Sequence, residues 1–137
     1  MNPEEKKISF EEIKEVFERY LKVAEDTLKN NEEVSKILEK VNEKIKIIDG
    51  LNIAFKEIPL MISLVKDYIS KKYTVVPVGT IVAIIAALLY VLNHFDLIPD
   101  SIPVIGYVDD IAVLSLAYGM IKVDLEKYSE WKNSQEA

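Results

Sequence analysis

Apolar residues recur at helical spacing through the first half of this chain and run almost unbroken through the second. The first stripe is Ile13, Val16, Phe17, Tyr20, Leu21, Ala24 and Leu28, an i, i+3, i+4, i+7 pattern that predicts an amphipathic helix. Ser9 followed by Glu12 has the form of a capping box at its start. Glu18–Lys22 and Glu25–Lys29 sit at helical pair spacing on its polar face. Asn30-Asn31 then punctuates the chain. A second stripe of Val34, Ile37, Leu38, Val41, Ile45 and Ile48 predicts a helix over about 32–48, stopped by Asp49-Gly50. The third, over about 51–72, carries Ile58, Met61, Ile62, Val65, Tyr68 and Ile69, with Pro59 in a first-turn position or at a mild kink. These stripes are wide, and something apolar must cover them.

The second half supplies the cover. Across the 47 residues from Val75 to Ile121 the only formal charges are four aspartates. Between Pro77 and Asn93 the polar handles are Thr80 and Tyr90 alone, so the predicted fourth helix has no polar face. A helix apolar all round is the centre of a bundle or a membrane span. Pro99 and Pro103 break the connector that follows, Gly106 marks a tight turn, and a fifth helix is expected from about Val108 to Trp131, polar after Lys122. Residues 1–7 and 133–137 are expected to be loose. The expected fold is all-α: one domain over 1–137, a bundle of about five helices around a central apolar hairpin. Amphipathic helices occupy 1–72 and the hairpin 73–131, with Ile81, Ile84, Ile85, Leu88 and Leu92 in the core.

Composition narrows the chemistry. The 137 residues contain no cysteine, which removes disulfides and thiolate metal sites. The start, Met-Asn-Pro-Glu-Glu-Lys-Lys, has no apolar signal core, so a cytoplasmic protein, or one with its N-terminal helices on the cytoplasmic side of a membrane, is expected. Net charge is −6, and it is uneven: 15 acidic and 14 basic residues through Lys72, then 8 and 3 from Tyr73 onward. A nucleic-acid binder needs a basic stripe against phosphates, and this distribution offers none.

The connector has a recognisable form. Tyr90, Asp96-Leu97-Ile98-Pro99-Asp100, Ile102-Pro103 and Gly106-Tyr107-Val108-Asp109-Asp110 together resemble the signature of the YkvA-like family, a small bacterial and archaeal domain of unassigned function. The resemblance covers Ile81 to roughly Met120 and leaves the first 70 residues unexplained. It implies a helical hairpin with a marked loop, in a family with many members described as membrane proteins, and it implies no reaction. The family usually has Ser-Pro where this chain has Asn93-His94, so His94 takes no role from it.

Asp96, Asp100, Asp109 and Asp110 are the candidate site. Carboxylates gathered at one end of an apolar hairpin suit a hard divalent cation such as Mg²⁺ or Ca²⁺, and His94 would add a nitrogen for a transition metal. The plainer reading is capping, with Asp96 and Asp100 at helix starts and Asp109 and Asp110 in the first turn of the fifth helix. His94 by itself reads as a rim histidine. No nucleophile–base pairing and no phosphate-cradling loop can be drawn, so no catalytic residue and no cofactor is assigned.

Membrane insertion is weighed by length. From Pro77 to Asn93 a helix rises about 25 Å, short of a hydrocarbon core of about 30 Å. Extending the second run to span would bury Asp109 and Asp110. A bundle core is therefore favoured, although Lys71-Lys72 is what a cytoplasmic anchor would show. The leading functional expectation is a non-enzymatic helical interaction module with a protein partner or a second copy of itself. The alternatives are a membrane-associated protein whose 75–121 hairpin inserts, and a cation-dependent enzyme using the aspartates.

Overall fold

The computed structural model describes residues 10–47, 57–96 and 105–136, and all five of its regular elements are helices. They are α1 (Phe10–Leu28), α2 (Asn31–Ile47), α3 (Ile58–Ile69), α4 (Val78–Asp96) and α5 (Ile105–Glu136). The all-α bundle expected from the stripes is the fold.

Local chemistry sets the boundaries. α1 closes with three-residue backbone bonds from Lys29 to Asp26 and from Asn30 to Thr27. Asn30 then caps α2, its Oδ1 accepting the amides of Glu32 and Glu33 at 2.9 and 3.2 Å. Pro59 sits in the first turn of α3, where a missing amide proton loses no helical bond. The end of α3 is a Schellman arrangement: Lys72 N–H bonds the Asp67 carbonyl at 2.8 Å and Lys71 N–H bonds that of Tyr68 at 3.1 Å. Lys71 takes the left-handed position, with φ of 66°, a place usually held by glycine. Pro77 stands just outside α4 and its carbonyl accepts the amides of Thr80 and Ile81. Ser9 and Asp49-Gly50, the expected start and stop signals of the first two helices, lie outside the described residues.

α4 is the centre. It packs on α1, α2, α3 and α5, most extensively on α1. Every residue from Ile81 to Leu88 is buried, as are Tyr90, Val91 and Leu92, so all faces of α4 are covered between Ile81 and Leu92. The expected core residues Ile81, Ile84, Ile85, Leu88 and Leu92 are among them. Both polar handles are used. Thr80 donates to Asp124 at 2.6 Å, and the Tyr90 ring meets that of Tyr20 edge-on at 5.6 Å.

α5 differs from expectation in two ways. It starts at Ile105, so Gly106 is a helical residue and not a turn; the first-turn amides have no partner four residues back, so glycine there disturbs little. It also continues through Glu136, beyond the expected end at Trp131. Trp131 and Lys132 are anchored on α3 and the segment after it, and Ser134 bonds the Trp131 carbonyl, so the last turn is held. Over its described side chains α5 buries one face, Ala117, Ile121, Leu125 and Tyr128, and exposes Gly119, Met120 and Val123. Over the described side chains α4 is the most enclosed element, and α5 packs on it along this one face.

Candidate functional site

Three of the four candidate aspartates fall on described backbone, on either side of the connector between α4 and α5. Asp96 is the last residue of α4, at the opposite end from a helix start. Asp109 and Asp110 are the fifth and sixth residues of α5, past the first turn in which they were expected, because the helix begins three residues earlier. Asp100 and the side chains of Asp96, Asp109, Asp110 and His94 lie outside the described residues. Among the described residues no group of three His, Cys, Asp or Glu side chains could hold a metal ion.

The described polar chemistry gathers elsewhere, between α3 and α5. Asp67 is a buried carboxylate on α3, and Tyr128, fully buried on α5, donates its hydroxyl to Asp67 Oδ2 at 2.6 Å. Ser63 Oγ lies 2.6 Å from the Tyr128 oxygen. A carboxylate only accepts, so the Tyr128 proton goes to Asp67 and the Ser63 hydroxyl donates to Tyr128. Lys132 Nζ completes the group at 3.4 Å from the same Oδ2, and sits over the Tyr128 ring at 5.8 Å from its centre. Tyr73 packs edge-on against Tyr128 at 5.1 Å, and Trp131 stacks on Tyr128 at 5.8 Å.

Electrostatics keep Tyr128 a donor. Burial pushes its hydroxyl above the usual tyrosine value, and the bond to Asp67 pushes further the same way. The Tyr128 hydroxyl in turn raises the Lys132 ammonium, with Asp67 adding to it against the opposing effect of burial. Tyr73 is raised by burial and then by Asp124. The arrangement is a proton-ordered clamp tying α3 to α5. It holds Ser63 as a donor, and Asp67 Oδ2 takes both the Tyr128 hydroxyl and the Lys132 ammonium.

A cleft of about 580 Å³ opens over the clamp. Its wall includes Ser35 of α2, Ser63, Lys66 and Asp67 of α3, Ser70 and Lys72 just after it, and Lys132 of α5, with Pro59, Ile62 and Ile69 as apolar surface. A smaller hollow of about 210 Å³ shares Ser35, Ile62 and Lys66 and continues the groove along α2.

None of this was visible in the chain as a motif. Asp67 falls off the main apolar stripe of α3, on a second row with Leu60 and Leu64, and its partners are more than 60 residues away. The available signal was Tyr128, which ends the row Ala117, Ile121, Leu125: a tyrosine at a core position needs a partner for its hydroxyl.

The family model matches the part of the chain around α4 and the connector. Residues 80–116 match the family described as Protein of unknown function (DUF1232). The Bacillus subtilis (strain 168) protein called "Uncharacterized membrane protein YkvA" is 34% identical over 77 residues, covering 56% of this chain and 73% of that protein. This chain belongs to the YkvA-like family. No solved structure matches it. The family segment spans α4, the connector and the first part of α5, so Asp67, Tyr128 and Lys132 lie outside it.

Among the described residues no helix is long and apolar enough to cross a membrane. The 19 residues of α4 rise roughly 28 Å, close to a hydrocarbon thickness, but the described faces are already covered by protein.

Proposed function

We propose that this chain is a non-enzymatic helical binding module that attaches to the surface of an anionic membrane rather than spanning it. The observation that carries the reading is the segment joining α3 to α4. Lys71 and Lys72 are exposed there, and Val75 and Val78 stand 81% and 55% accessible immediately after them. Exposed valines beside lysines suit the boundary of a bilayer: the apolar groups enter the headgroup region, and each lysine near an anionic surface contributes about 1 kcal/mol. The name of the Bacillus relative, a membrane protein, supports the same placement. Burial of α4 within its own chain supports a surface location over insertion of the 75–121 hairpin, since an inserted hairpin would have to give up that covering.

Co-sedimentation with vesicles tests this. The protein is expected to bind phosphatidylcholine vesicles containing phosphatidylglycerol, and to bind less as salt rises. Lys71→Gln should weaken binding about fivefold, and the double change Val75→Ser, Val78→Ser should weaken it further, with unchanged far-UV circular dichroism. Binding indifferent to all three substitutions would defeat the reading. Retention in native membranes through alkaline carbonate extraction would favour hairpin insertion instead.

A protein partner or a second copy is the other reading, supported by Met120 and Val123, 53% and 62% accessible and close on one side of α5. Sedimentation of wild type against Val123→Glu distinguishes it, because a dimer through this face would dissociate.

A further inference from the structure

The cleft over the α3–α5 clamp is lined by more lysines than carboxylates. The protein carries −6 overall, yet three lysines line this one cavity against one aspartate. Asp67 does not cancel them equally. Its Oδ2 takes the Tyr128 hydroxyl and the Lys132 ammonium, so that carboxylate and that ammonium offset each other. Lys66 and Lys72 make no ion pair among the described residues, and their charges remain as the excess in this cleft, with Glu39 on the adjoining hollow. Ser35, Ser63 and Ser70 share the same wall; Ser63 already donates to Tyr128 and Ser70 lies 3.4 Å from the Asp67 carbonyl, so the hydroxyl of Ser35 is the readiest further donor.

We infer that this cleft binds a phosphate group carried on a small organic molecule. Ammonium groups act on phosphate as point charges, and the Ser35 hydroxyl can donate to a remaining oxygen. A cavity of about 580 Å³ exceeds what inorganic phosphate needs and falls in the range of small-ligand sites. Pro59, Ile62 and Ile69 offer apolar surface to the organic part. The clamp beneath gives the site a rigid floor, since Ser63 and Asp67 are both fixed by Tyr128. The phosphate can come from a soluble metabolite or from a lipid headgroup, and the chemistry on the protein side is the same.

The chain contains its own reporter. Trp131 is the only tryptophan, and it stacks on Tyr128 next to Lys132. Its emission is followed while the full-length protein is titrated with glycerol 3-phosphate, with acetate as a carboxylate control, and separately with phosphatidylcholine vesicles with and without phosphatidic acid. Saturation below about 10 mM glycerol phosphate, with no response to acetate, is the expected result. The exposed double variant Lys66→Gln, Lys72→Gln should weaken it about 100-fold, a factor of about ten for each charge-assisted hydrogen bond removed. A response to glycerol phosphate assigns a soluble source, and one confined to vesicles containing phosphatidic acid, kept in Val75→Ser, Val78→Ser and lost in Lys66→Gln, assigns a headgroup; a vesicle response that survives Lys66→Gln counts against the inference. No saturable response in either arm, or equal responses from wild type and the lysine variant, would overturn the inference. Val75→Ser, Val78→Ser should leave the soluble titration unchanged, so failure of the membrane reading and failure of this one are separate outcomes.

Discussion

Two residues carry more than their exposed or hidden positions suggest. Tyr128 is fully buried with its hydroxyl on Asp67, so removing that hydroxyl leaves a buried carboxylate short of a donor. Tyr128→Phe should therefore lower stability by about 1.5–3 kcal/mol in urea unfolding, and Ser63→Ala by less, because serine donates to a neutral oxygen. The pH dependence follows from the same groups. Tyr128, Tyr73, Tyr118 and Lys132 all hold their protons more tightly in the folded chain than in the unfolded one. Their contribution is complete below the ordinary values of 10.0 and 10.5 and is lost as pH rises through the folded values. Melting temperature should then fall steeply above about pH 10, and Tyr128→Phe should flatten that fall. Lys71 is the opposite case, an exposed residue in a strained backbone. With φ at 66° it occupies a glycine position, and Lys71→Gly should raise stability by about 0.5 kcal/mol, the relief of strain exceeding the added freedom of the unfolded chain. A loss of stability on that substitution would show that the lysine side chain contributes there.

At the scale of elements, α4 does most of the organising. Its alanines at 83, 86 and 87 are buried beside Ile84, Ile85 and Leu88, which lets neighbouring helices approach closely while the large side chains fill the space between. Enlarging one of the small positions is therefore expected to be harmful: Ala87→Leu should destabilise by about 1–3 kcal/mol through overpacking. Emptying a large one should be worse, with Leu88→Ala at about 2–5 kcal/mol. Chemical denaturation of both variants checks the order. The α3–α5 clamp is the second organising feature, and it explains why α5 stays helical past the point where its sequence turns polar. Trp131 and Lys132 hold that turn by reaching across to Tyr73 and Asp67.

For the whole molecule, the way charge and apolar surface are distributed matters more than their totals. A balanced, charge-rich first half wraps an apolar helix, and lysines from both halves meet in one cleft of a chain that is acidic overall. The α1–α3 stripes and the apolarity of α4 could be read from spacing alone, because a helix repeats every 3.6 residues and a face that must be buried leaves that period in the sequence. The core positions Ile81, Ile84, Ile85, Leu88 and Leu92 were legible for the same reason, as was the family signature of the connector. The cap at Asn30 was legible only as punctuation, and the end of α5 was misjudged, since polar residues there are held by partners distant in sequence. Tertiary structure alone decided that α4 is enclosed on every described face, that Asp67 meets Tyr128 and Lys132 across a separation of 61 and 65 residues, and that Lys66, Lys72 and Lys132 share one cavity. Periodicity reports what one helix must hide. Which polar groups meet when several helices hide their faces together depends on the rotation and height of each helix against the others, and no local pattern in the chain encodes that.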